Sequence, residues 1–290
     1  MRAILGLAQT VWRDARAYAP ARPWRRLAAI WLAAFAVWLP ISLLAWRAER
    51  NLGNAAPVTG YTLFAALLFL AAFNLRKRFT VLPLGTVRAW MVAHGVVGLV
   101  SIPLYLQHSG GLWPGGFYER GIALAFYAVL LSGFAGYALE RLIPRRLTDL
   151  DFEVIYERIP SEIAELRERC EALVLKAMQE LGSDTLGRYY YESLDWYFWQ
   201  PRFLLSHLVG GRRAGRWIRG HISALRRYLN EHERACLDQV EDLALRKSQL
   251  DAHLVLQGAL RYWLFLHVPA AVLLLVLVLW HLLVVNIYAL

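Results

Sequence analysis

The stretch Tyr262-Trp-Leu-Phe-Leu-His267-Val-Pro-Ala-Ala-Val-Leu-Leu-Leu-Val-Leu-Val-Leu-Trp-His281-Leu-Leu-Val-Val-Asn-Ile-Tyr288 carries no charged residue. A helix rises about 1.5 Å per residue and a bilayer core is about 30 Å thick, so a run of this length crosses it. Four further apolar runs approach that length: Leu27–Trp46, Val58–Leu75, Ala89–Gln107 and Gly121–Leu139. The second is short and closes on Asn74. With 58% hydrophobic and 19% charged residues, the 290-residue chain departs from the soluble norm of roughly 45–50% and 25%, which excludes two ordinary soluble domains. The expected fold is all-α: an integral membrane helical bundle of five spans.

Between the fourth and fifth runs lies a polar insert, residues 140–261, expected to be helical. From Arg141 to Arg261 it holds 19 Lys/Arg against 18 Asp/Glu, a net charge of +1. The chain's +10 therefore comes from elsewhere. Six arginines precede span one, and Arg76, Lys77, Arg78 and Arg88 separate spans two and three, whereas the opposite loops carry only Arg47, Arg50 and Arg120. By the positive-inside rule, residues 1–26 and the insert are expected in the cytoplasm, and the C-terminal end of span five (262–290) outside. Topology accounts for the basic excess, so no nucleic-acid partner is expected. The sequence start lacks a signal-type apolar core and cleavage site, so the run from Leu27 is expected to remain as an anchor. Cys170 and Cys236 are too few for a disulfide framework and are read as reduced.

Inside the insert, the segment from Ser161 to Met178 has helical apolar spacing with Ser161 as N-cap. Gly220 to Leu260 is periodic and free of proline, and it is expected to continue into span five. The aromatic stretch Tyr189–Trp199 is read first as the insert's own core or an interfacial belt, and second as a partner surface. Val209–Arg219, with Gly210, Gly211 and Gly215, reads as a flexible connection and lacks nucleotide-site spacing. Ile4–Tyr18 has the pattern of an amphipathic helix on the inner leaflet.

Four of the eight histidines sit in the apolar spans: His94 and His108 in span three, His267 and His281 in span five. Ionisable side chains at such depth are costly and mark function. Each pair is 14 residues apart, which returns the rings to within roughly 40° of one helix face about 21 Å apart along the axis. Spans three and five run in the same direction under the expected topology. His94 then lies at the depth of His267, and His108 at the depth of His281. Two parallel helices with two ligands each suit two stacked six-coordinate haem b groups, and bis-His ligation favours electron transfer. Isolated hydrogen-bonded core histidines and a proton path are the competing readings. Gly95, Gly98, Gly133 and Gly136 offer room for a flat macrocycle, or ordinary small-residue packing. Arg88 is a candidate for inner propionates and Arg120 for outer ones. The interval of 14 also separates His207 from His221 and His253 from His267. His253 has no partner at the matching position, where Thr80 stands, and His207, His221 and His232 are expected to be solvated.

These four histidines and the span topology resemble the ferric-reductase-like transmembrane domain shared by NADPH oxidases and ferric reductases. The resemblance implies two b haems held between the third and fifth helices. It covers the spans; the long insert departs from it, and the sequence shows no sixth helix, flavin or nicotinamide domain. The phrases Glu157-Arg158-Ile159-Pro160, Arg227-Tyr228-Leu229-Asn230 and Leu266-His267-Val268-Pro269 look like those of bacterial cytochrome-associated membrane subunits.

The expected function is transmembrane electron transfer by a di-haem b-type cytochrome in a bacterial cytoplasmic membrane, an oxidoreductase subunit rather than a self-contained enzyme. A cytoplasmic donor or assembly partner would meet the insert, and an external acceptor such as a c-type cytochrome would meet the His108–Arg120 loop. A quinol-linked cytochrome b subunit with a bound quinone, and a haem-free assembly or scaffold subunit, are the alternatives.

Overall fold

The computed structural model describes residues 23–51, 53–78, 85–182 and 184–288. The expected amphipathic segment Ile4–Tyr18 lies outside the described residues. Among these residues the secondary structure is helical, without strands. Five helices are long and apolar enough to cross a membrane: α1 (Pro23–Arg50), α2 (Ala56–Arg78), α3 (Val87–Ser109), α4 (Phe117–Thr148) and the last helix, Glu231–Tyr288. The protein is an all-α, multi-pass membrane chain. Between α4 and the last helix come α5 (Ile159–Leu181), α6 (Thr185–Tyr189), α7 (Asp195–Trp199), α8 (Leu204–Val209) and α9 (Arg213–Leu225), so the last helix is α10. The chain divides into two compact units, Met1–Leu130 with Pro269–Leu290, and Leu131–Val268.

In the first unit, α3 packs on both α1 and α2. The Thr86 side chain caps α3 by accepting from the Ala89 N–H at 3.2 Å, and Gly110 ends it in the left-handed region, which glycine enters without a Cβ penalty. The helix α2 runs on to Arg78, while its candidate membrane span, Ala56–Phe73, stops just before Asn74. The buried contacts are Leu104, Val100 and Tyr105 of α3 against Ala123, Ala125 and Phe126 of α4 and Leu274 of α10. Small side chains at Ala34, Ala123 and Ala125 permit close helix approach where lipid supplies no hydrophobic driving force. The outward faces are apolar too: Leu32, Leu124, Leu273 and Val276 are exposed, as expected of surface that meets acyl chains rather than water.

The second unit has an inverted plan, with its apolar side chains inside. Ile159, Ile163, Leu166, Cys170, Val174 and Ala177 recur at three- and four-residue intervals along α5, and Ile218, Ile222 and Leu225 do so on α9. These stripes meet Leu237, Val240 and Ala244 of α10 around Tyr190, Tyr197 and Phe198. The aromatic stretch is thus mainly the insert's core, each ring removing about 150–250 Å² from water. One π turn, Tyr190–Leu194, turns both its terminal residues inward. Trp199 stays exposed, with the Arg167 guanidinium 4.0 Å over its ring. Cys170 and Cys236 are free and buried, and burial pushes the Cys170 thiol up to about 12.

Four local expectations are corrected. Ser161 does not cap α5: the helix begins at Ile159 with Pro160 in its first turn, where the missing N–H costs nothing, and the Ser161 hydroxyl donates back to the Arg158 carbonyl at 2.8 Å. Val209–Arg219 is not a flexible connection, because Ala214, Ile218, Ile222 and Leu225 give α9 a buried face and only Gly210–Arg212 link it to α8. Gly220–Leu260 is broken by a 3₁₀ turn at Arg226–Tyr228, after which Asn230 and Glu233 exchange side chain-to-backbone hydrogen bonds at 2.9 Å each and restart the helix. From there α10 does continue into the fifth span, for about 87 Å. Finally, His207 and His221 are half-buried; only His232 is solvated.

A buried ion pair ties α10 to the chain before α8. Lys247 Nζ lies 2.7 Å from Asp251 Oδ2, both side chains fully buried, and also donates to the Gln200 carbonyl at 2.7 Å. Asp251 Oδ2 in turn accepts from the Arg202 N–H at 3.1 Å. The pair thereby satisfies backbone groups of a turn that has no helix or sheet to do so.

Candidate functional site

In the first unit, His108 near the end of α3 and His281 on α10 come together, their ring centroids 6.3 Å apart and their planes at 88°. Two features of α2 seat His108. Thr59 Oγ1 lies 3.3 Å from His108 Nδ1, and a Cβ on Gly60 would stand only 2.7 Å from His108 Cε1. Gly60 is therefore glycine because the imidazole rests on its backbone.

The Thr59 hydroxyl holds His108 through Nδ1. That group has one proton, and it lies within hydrogen-bonding distance of the Ala55 carbonyl at 3.1 Å and the Ala56 carbonyl at 3.3 Å. When that proton goes to a carbonyl, the oxygen accepts from a ring protonated at Nδ1, and the lone pair is then on Nε2. His281 stacks on Tyr118 at 6.4 Å and 21°, and the Tyr118 hydroxyl donates to the Leu277 carbonyl one helical turn below.

The other two histidines belong to different units. In the first, His94 is half-buried on α3 with the Phe73 ring 5.3 Å away. In the second, His267 Nδ1 lies 2.8 Å from Ser132 Oγ on α4, and its ring stacks on Trp263 at 5.3 Å and 22°. The Trp263 indole donates to the Ser132 carbonyl at 2.6 Å. A Cβ on Gly136 would fall 1.9 Å from the indole, so this glycine admits Trp263, while one on Gly133 would reach His267 Cε1 at 3.8 Å. Nothing lies within 4 Å of the corresponding positions on Gly95 and Gly98.

The donor set fits a bis-imidazole iron. His108 and His281, both of the first unit, are the two imidazoles that would hold such a group. A hydroxyl partner on the far nitrogen is the kind of outer contact that orients a ligating histidine. Of the candidate propionate partners, Arg88 is exposed at the start of α3, and Arg120 Nε donates to the Pro114 carbonyl at 3.2 Å. Among the described residues there is no group of three or more His, Cys, Asp or Glu side chains able to hold a metal ion. His253 is a buried core histidine, its Nε2 at 2.8 Å from the Phe152 carbonyl and its Nδ1 at 3.3 Å from Gln257.

Thr59, Gly60, Tyr118, Ser132 and Trp263 were not among the residues the sequence pattern singled out. A lone hydroxyl residue in an apolar run is the signal that marks Thr59 and Ser132, since a buried hydroxyl needs a partner. No protein-family model, curated protein or solved structure matches this chain.

Proposed function

We propose that this protein is a transmembrane b-type cytochrome subunit that carries electrons across a bacterial cytoplasmic membrane, with the N-terminus and insert on the cytoplasmic side. In this reading His108 and His281 hold an outer haem, and the inner haem rests on the sequence spacing of His94 and His267 alone. The observation that carries it is that His108, seated against Thr59, comes together with His281. Held between two imidazoles, haem b supplies a one-electron carrier with no open position for substrate. The chain's own residues do the positioning: Thr59 and Ser132 orient the rings through Nδ1, Tyr118 and Trp263 pack against them, and the apolar spans exclude water. Arg88 and Arg120 are the side chains offered to propionates. The donor and acceptor are separate proteins, meeting the insert and the His108–Arg120 loop. The four membrane histidines and the order of the spans resemble the ferric-reductase-like transmembrane domain.

The reduced-minus-oxidised spectrum of the purified, haem-replete protein tests this reading. Sharp b-type bands with two haems per chain are expected, and His108→Ala or His281→Ala should remove one of them. A featureless spectrum would overturn the proposal. It would favour a haem-free assembly subunit, because the same hydroxyl contacts also satisfy histidines used only for packing.

A further inference from the structure

α8 is built inside out. Its half-buried positions are Ser206 and His207, while Leu204, Leu205, Leu208 and Val209 face outward, Leu205 being 77% and Val209 73% exposed. At about 100° per residue these four occupy one continuous arc of the helix. An apolar helix face turned outward in an otherwise well-packed unit is an interaction surface.

The position of α8 says what covers that face. Arg146, on the same helix as span four, donates to the Leu208 carbonyl and, at 3.1 Å, to the Val209 carbonyl. Gly210 permits this: it takes the left-handed φ of 78° that ends α8, and a Cβ there would stand 3.3 Å from the Arg146 guanidinium carbon. Arg146 lies seven residues past Leu139, where the apolar run of span four ends, or about 10 Å along the helix axis. The polar layer of a bilayer is about 5–7 Å deep on each side. Arg146 thus ties α8 to the stretch of α4 that directly follows the apolar run.

Charge points to the same surface. From Trp196 to Asn230 the chain has seven arginines and no Asp or Glu, although the insert as a whole is almost neutral. Arg212, Arg213, Arg216 and Arg219, directly after α8, are exposed and form no ion pair among the described residues. His207, Arg212, Arg216 and Arg219 line a concavity of ≈ 790 Å³.

We propose that α8 is an interfacial anchor: Leu204, Leu205, Leu208 and Val209 enter the leaflet beside span four, and the arginines that follow bind the headgroups of anionic phospholipids. An apolar face supplies depth and the guanidiniums supply lipid selectivity, each worth about fivefold in partition at an anionic surface. The anchor does not depend on what the membrane histidines bind.

The test uses the full chain in nanodiscs of phosphatidylcholine, alone or mixed with phosphatidylglycerol. A nitroxide is placed at Leu205→Cys, with Lys176→Cys as the aqueous reference; the native thiols are buried. In the mixed discs the Leu205 label should be shielded from an aqueous nickel complex and open to oxygen. Arg212→Gln/Arg216→Gln/Arg219→Gln should abolish the part of that shielding that depends on phosphatidylglycerol. A Leu205 label as open to nickel as the Lys176 label in the mixed discs overturns the anchor and assigns the face to a protein partner. Shielding that is identical in both discs and unchanged by the arginine substitutions overturns the headgroup assignment.

Discussion

At the scale of single residues, the Thr59–His108 contact shows how a side chain outside the chemistry can decide it. Valine has the shape of threonine without the hydroxyl, so Thr59→Val removes the polar side chain that meets Nδ1 of the half-buried His108. Loss of such an outer contact typically weakens ligand retention about 10–100-fold, and Thr59→Ser should retain most of it. Haem titration of the two variants checks this. The Lys247–Asp251 pair follows a different logic. Lys247→Met alone leaves a buried carboxylate uncompensated and should lower the insert's stability by about 3–5 kcal/mol, while Lys247→Met/Asp251→Leu should recover part of the loss. Thermal unfolding followed by tryptophan fluorescence distinguishes the two. These groups were only partly legible in the sequence. The spacing 247 to 251 marks one face of a helix, but nothing in it indicates that this face turns toward the backbone of Gln200 and Arg202.

At the scale of elements, the restart of α10 at Glu231 rests on one reciprocal cap. Asn230→Ala should cost about 1 kcal/mol and speed amide exchange in the turn from Glu233 to Cys236, while leaving the apolar span unaffected. The cap is visible as Asn230-x-x-Glu233, yet the uninterrupted periodicity on either side hides it: hydrophobic spacing persists through a short 3₁₀ turn. α8 has its own pH dependence. Burial, and then the Lys247 charge, lower the pKa of His207 from its usual 6.5, so this ring is held neutral in the folded insert. As the pH falls below about 6.5 the unfolded chain takes up a proton that the folded one resists, and stability declines down to the folded pKa; above that range the contribution is constant. His207→Gln should flatten the melting temperature over this acidic window. An unchanged slope would show that the ring is solvated.

At the scale of the whole molecule, two kinds of burial coexist in one chain. The spans leave large apolar side chains such as Leu32, Trp31 and Leu124 exposed around a buried set that includes Leu104, Tyr105 and Phe126, whereas the insert gathers Tyr190, Tyr197, Phe198 and Cys170 inside as a soluble domain does. Buried thiols give a readout of the second kind. Cys170 should resist maleimide in the native protein at neutral pH and react only once the insert unfolds, because so little thiolate forms at a pKa of about 12. The sequence by itself determined the five spans, the helical insert and the four histidines at depth, since length and hydropathy act locally and a charge-free run has only one solvent available to it. Only the tertiary structure decided that His108 meets His281 over Gly60, that Gly136 admits Trp263 rather than standing open, and that α8 turns its leucines outward under Arg146. Those outcomes depend on rings, carbonyls and guanidiniums brought together from positions tens to more than a hundred residues apart. A periodic pattern reports which face of a helix is apolar, but the contacts across helices decide what that face meets.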